Sequence, residues 1–142
     1  MIILNSINDK TIILDKLKSA EFLEFISKFD LSSIIVFGSL CTDDFNEASD
    51  VDIAILAESN IPLDSILDIE LFLEKFLKRP IDVLDLKSDN LDIFIKINIL
   101  NKGKVLFTKD NNKLLEQLCE ETNRIYKENE DYMFFRRVDV LS

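Results

Sequence analysis

Two short apolar runs, Ser33–Phe37 and Val51–Leu56, bracket a polar stretch that opens on Gly38-Ser39 and closes on Asp50. Apolar runs of this length between turn signals read as strands. The first is apolar throughout, which suits a strand buried on both faces. The second reads as a strand from Asp50 to Leu56 that alternates cleanly. Asp50 and Asp52 therefore share one face, about 7 Å apart along the backbone, while Val51, Ile53 and Ile55 point into a core. A chain with this centre is expected to fold around a small sheet, with a hairpin-like loop joining two of its strands.

The flanking segments supply helices. Asn8 to Phe29 carries Leu14, Leu17, Phe22, Phe25, Ile26 and Phe29 at roughly helical spacing. Leu63 to Lys78 repeats the pattern with Ile66, Ile69, Leu73, Phe76 and Leu77, and Pro80 lies just past its end. Ile81 to Leu86 reads as a third strand, Asn90 to Asn101 as a short helix and Lys104 to Thr108 as a short strand. Asn112 to about Val138 reads as a long terminal helix, either continuous or broken. Strands alternating with helices imply an α/β or α+β fold, a small mixed sheet flanked by helices. The order of strands in the sheet is not readable from this pattern. One domain over residues 1–142 is expected, with a core at about 30–108 and a C-terminal helical extension at about 110–142.

What the chain lacks is equally informative. It has no histidine, which removes Ser-His-Asp and Cys-His catalysis and the usual zinc sites. Any base is then a carboxylate, and any metal a hard ion held by oxygens. Cys41 and Cys119 form neither a metal knuckle nor a redox pair, and both read as packing residues. The net charge of -10 opposes the phosphate grip of a nucleic-acid binder and suits a basic protein or a cationic small molecule. No apolar run spans a bilayer, and Met1–Asn5 has no signal-peptide pattern, so a cytoplasmic protein is expected.

Carboxylates facing one another on a sheet repel unless a cation lies between them. Magnesium takes one or two carboxylates and completes its shell with water and substrate phosphates. Asp-x-Asp alone also fits a solvated edge. Gly38, directly after a buried strand, adds a place where backbone N–H groups can approach a phosphate, and Ser39 adds a hydroxyl. A third carboxylate would complete a two-metal site. The third strand offers Asp82 and Asp85 on opposite faces, so only one can join. Asp82, earlier in the strand, is preferred, which leaves Asp85 as a solvated edge carboxylate. The chain has neither a P-loop nor a G-x-G-x-x-G, and Gly38-Ser39 is not a G-x-S-x-G elbow.

The pattern Gly38-Ser39-x10-Asp50-x-Asp52 with a later Asp82 resembles the nucleotidyltransferase fold of the DNA polymerase β superfamily. Length and layout resemble its minimal nucleotidyltransferase (MNT) branch, from about Ile34 to Phe107. The segment Ile99–Phe107 is similar to that branch's "I-L-x-x-G-x-x-L-[FY]" ending. The resemblance implies that Asp50, Asp52 and Asp82 hold two Mg2+ ions and that Asp82 helps activate the attacking hydroxyl. It also implies that Gly38 and Ser39 contact the triphosphate of ATP. The implied reaction transfers AMP to a hydroxyl and releases pyrophosphate. Many members of the branch are antitoxins of HEPN-domain toxins, so the implied partner is a HEPN toxin, with no nucleic acid or membrane involved. An antitoxin that acts by binding alone and an aminoglycoside-like small-molecule transferase are the alternatives.

The chain departs from the branch at the turn. Members commonly read Gly-Ser-Arg/Tyr-Ala-Arg-Gly, whereas this chain reads Gly38-Ser39-Leu40-Cys41-Thr42-Asp43, with Asp44 and Glu47 adding further negative charge. Each like charge at that range opposes a triphosphate by about 1 kcal/mol. In the last helix, Leu115, Leu118, Thr122 and Ile125 form a stripe expected to pack on the parent domain. The apolar end Tyr132–Val138 reads as either docked or a partner surface.

Overall fold

A computed structural model describes residues 2–129. A four-stranded mixed sheet forms its centre, in the order β3-β2-β1-β4. Strands β1 (Ser33–Phe37) and β2 (Val51–Leu56) pair antiparallel, as the hairpin reading expected, and β4 (Lys104–Thr108) pairs antiparallel with β1. Strand β3 (Ile81–Asp85) lies parallel to β2, so helix α3 (Leu63–Leu77) is the crossover between them.

The pleat divides the core in two. Ile34, Val36, Val51, Ile53, Ile55, Ile81 and Val83 face one cluster, together with Leu17, Phe22, Ile69 and Leu73 from the helices. Ile35, Ala54, Leu56 and Leu86 face the other, with Ile99, Leu100, Leu115, Leu118 and Cys119. Helices α1 (Ile2–Leu17), α2 (Ala20–Ile26) and α3 thus cover one face of the sheet, while α4 (Ile93–Lys102) and α5 (Lys113–Asn129) cover the other. Each fully buried Leu, Ile or Phe contributes roughly 1.5–3 kcal/mol, so both faces supply substantial stability.

Three readings change. The single helix expected from Asn8 to Phe29 is two helices and a 3-10 turn. Ser19 makes the break: its Oγ accepts from the Phe22 backbone N–H at 3.3 Å and so caps a new helix. Helix α4 begins later than expected because Asp92 caps it, accepting from the N–H groups of Phe94 and Ile95 at 2.8 and 3.3 Å. In the last helix, Leu115, Leu118 and Thr122 are buried as expected, but Ile125 is half-exposed. Gly103 ends α4 in an extended conformation. A methyl group there would meet Ile35 Cγ2 and the Ile99 carbonyl, each at 2.6 Å. Residues 130–142, including Tyr132–Val138, lie outside the described residues.

Candidate functional site

The register of the sheet brings the sequence-predicted residues to one end. Phe37, the last residue of β1, pairs with Asp52, and Asp52 pairs across the parallel ladder with Asp82. Neighbouring strands stand about 4.8 Å apart, so these two aspartates are direct neighbours. Asp50 immediately precedes β2 as the last residue of the connecting loop. Leu84 and Ala54, each two residues further along its strand, pack in the α4/α5 cluster, so Asp52 and Asp82 crown that face of the sheet.

Gly38 follows β1 with φ at +73°, in the left-handed region that favours glycine. A Cβ there would collide with Asp52 Oδ2 and stand 3.2 Å from Asp52 Cγ. The glycine is therefore required twice, by its own backbone and by the carboxylate seated against it. Gly38 and Ser39 open a 3-10 turn that runs to Cys41. The Ser39 carbonyl closes it, accepting from the Thr42 N–H and hydroxyl at 3.0 Å each.

The electrostatics follow from the crowding. Partial burial pushes the Asp52 carboxyl above the usual aspartate range, and the Asp82 and Asp50 charges push it further. Among the described residues, no group of three or more His, Cys, Asp or Glu side chains is arranged to grip an ion as it stands. Asp82 is exposed and Asp52 half-buried, so both are open to a ligand.

Asp85 corrects the sequence reading. It is not a solvated edge carboxylate but is buried, at 7% exposure. Its Oδ2 accepts from the Ile61 N–H and its Oδ1 from the Lys87 N–H, both at 3.0 Å. It ties the segment before α3 to the exit of β3, at the opposite end of the sheet from Asp82.

Sequence reasoning missed the cations. Lys10 Nζ donates to the Thr42 carbonyl at 2.9 Å. Lys10 and Lys104 both draw the Cys41 thiol pKa down, although burial prevails and pushes it up. Cys41 thus stays a thiol, donating to the Val36 carbonyl at 3.3 Å, in keeping with a packing role. Arg79 Nη1 donates to the carbonyls of Asn46 and Ser49, both at 3.0 Å. The signal for Arg79 was faint: a lone arginine between a helix end and a proline.

A family model described as "Polymerase beta, Nucleotidyltransferase" matches residues 20–112. A search of curated proteins gave no match. Among solved structures, an MNT antitoxin in complex with a tri-AMPylated HEPN toxin of Shewanella oneidensis is 18% identical. That match covers 87% of this chain and 91% of the other, at a TM-score of 0.62. A toxin–antitoxin structure with AMP-PNP is 21% identical over 79% of this chain and 89% of the other, at a TM-score of 0.65. The toxin–antitoxin MntA-HepT structure is 20% identical over 82% and 90%, at a TM-score of 0.60. At these identities the likeness establishes the fold, a small mixed sheet flanked by helices.

Proposed function

Since the chain belongs to the polymerase β nucleotidyltransferase family, we propose that it is an antitoxin-type nucleotidyltransferase that transfers AMP from ATP to a hydroxyl of a HEPN toxin in the cytoplasm. The observation that carries this reading is the seating of the Asp52 carboxylate against Gly38, with Asp82 next in register. A turn suited to phosphate thus adjoins two carboxylates in neighbouring register.

The donor set fits magnesium: all the candidate ligands are carboxylate oxygens, and the crowded charge raises the Asp52 pKa. Asp50, Asp52 and Asp82 would hold two Mg2+ ions. When bound, such ions neutralise charge on the phosphates and align attacking and leaving oxygens. Gly38 lets the backbone approach the triphosphate, and Ser39 offers its hydroxyl. The acceptor oxygen forms a bond to the α-phosphorus as the bond to pyrophosphate breaks. Asp82, exposed at the edge of the group, takes the acceptor's proton. Lys10 and Lys104, near Cys41, offset part of the acidic loop's repulsion.

Two features support a protein partner. The charge of -10 favours a basic surface. Leu63, Leu67 and Leu71 lie exposed at successive four-residue steps on α3, an apolar stripe of the kind that docks on proteins. The same stripe, with the exposed Asp43, Asp44 and Glu47, favours a second reading, neutralisation by binding alone.

The test uses magnesium, α-labelled ATP and the co-purifying partner, with an Asp50→Ala/Asp52→Ala variant alongside. Label on the partner that disappears in the variant is the expected result. Neutralisation by the variant, with label in neither case, establishes the binding-only reading instead. Label appearing only on an added aminoglycoside would replace both with a small-molecule transferase.

A further inference from the structure

The loop that delivers Asp50 is acidic, lacks glycine and ends beside another carboxylate, so something must hold it there. The Arg79 side chain, 11% exposed, lies beneath it. Its Nη1 reaches the carbonyls of Asn46 and Ser49 at 3.0 Å and of Glu47 at 3.4 Å. Its Nη2 pairs with Asp9 Oδ2 of α1 at 3.3 Å. Its guanidinium stacks 4.6 Å from the ring centre of Phe45, itself buried within the loop. The backbone continues the tie: the carbonyl of Pro80 accepts from the Val51 N–H at 3.0 Å. One residue thus gathers most of the loop's last turn, and the next residue in the chain after Ser49 is Asp50.

We infer that Arg79 is a positioning residue that clamps the carbonyls of loop 46–49 and so holds Asp50 beside Asp52 as a joint cation ligand. The inference rests on the reading of Asp50 and Asp52 as cation ligands given above. The fork geometry of guanidinium suits several acceptors at once, where an ammonium acts as a point charge. Contacts behind ligands of this kind set metal affinity as strongly as some ligands do.

The sign of the effect separates positioning from simple electrostatics. Removing a positive charge near a cation site tightens cation binding if charge alone matters. Removing the clamp loosens it. The experiment titrates the full chain with Mn2+ alone and follows free Mn2+ by electron paramagnetic resonance. Asp50→Asn is expected to weaken binding on the order of 10-fold, and Arg79→Ala by a similar factor. In the Asp50→Asn background, Arg79→Ala should add no further loss, an interdependence that a general loosening of the fold would not produce. Arg79→Lys should fall between wild type and Arg79→Ala. Should Arg79→Ala fail to fold, Arg79→Lys carries the test: weaker binding supports the clamp and wild-type binding overturns it. Equal or tighter Mn2+ binding by folded Arg79→Ala overturns the inference while leaving the cation reading standing. Unchanged binding in both Asp50→Asn and Asp52→Asn overturns both.

Discussion

The two ends of the sheet hold aspartates under opposite conditions. At one end, Asp82 is exposed and Asp52 carries a raised pKa, beside a glycine that adopts a positive φ. At the other, Asp85 is buried with an N–H group on each oxygen. Asp82 and Asp85 belong to the same short strand, three residues apart. The difference shows how one strand can spend one carboxylate on stability and reserve another. A carboxylate that satisfies backbone donors is fixed by them. One surrounded by like charges keeps its oxygens available and is stabilised only when a cation arrives.

The largest expected effect lies at the satisfied end. Asp85→Ala removes acceptors from two buried or half-buried N–H groups and should cost about 2–4 kcal/mol. In thermal unfolding that corresponds to a midpoint lower by roughly 10 °C. Asp82→Ala should stay within about 0.5 kcal/mol of wild type, since its side chain is exposed. Equal losses for the two variants would abolish the contrast between the ends. Nucleotidyl transfer should respond in the reverse order, surviving Asp85→Ala below its lowered midpoint and failing with Asp82→Ala.

Gly38→Ala comes next. A left-handed backbone at a non-glycine residue costs about 1–3 kcal/mol. Here the new methyl group also displaces the Asp52 carboxylate. The expected outcome is a loss of about 2 kcal/mol in denaturant unfolding, together with loss of transfer activity in the folded fraction. An alanine variant with unchanged stability and full activity would break the link between the turn and the carboxylate.

How much of this was legible beforehand follows the range of the interactions. Alternation from Asp50 to Leu56 and the apolar run Ser33–Phe37 are local patterns, and both strands form there, the second starting at Val51 rather than Asp50. Gly38 was legible as a special backbone position because it directly follows a buried strand. The opposite faces of Asp82 and Asp85 also followed from the pleat. Their environments did not. Asp85 is buried because Ile61, 24 residues earlier, folds its N–H over the strand, which no local pattern reveals. Arg79 escaped for the same reason, since its acceptors lie 30 or more residues away and are backbone carbonyls with no side-chain signature. The break at Ser19 is different: a serine followed by a helical run is a local start signal, and the periodicity on either side masked it.

The smallest expected effect tests the unsatisfied end directly. Asp52 has its folded-state pKa raised, by burial first and then by the charges of Asp82 and Asp50. Below the unfolded-state value, about 3.9, the group is protonated in both states and no penalty applies. As pH rises through the interval up to the raised value, the folded state holds the proton longer and stability falls. Above that interval the whole penalty is present. Asp52→Asn removes the charge, so its stability relative to wild type should rise across this window and stay level toward pH 7. Solvent screens a half-buried group, so the gain is under about 1 kcal/mol. Urea unfolding of both proteins at pH 4, 5.5 and 7 measures it. Magnesium should then erase the difference by stabilising wild type selectively, because only the charged carboxylate gains from a cation. A gain that is constant with pH would place its origin in packing. Selective stabilisation of Asp52→Asn by magnesium would remove Asp52 from the cation site, leaving the two ends of the sheet distinguished by burial alone.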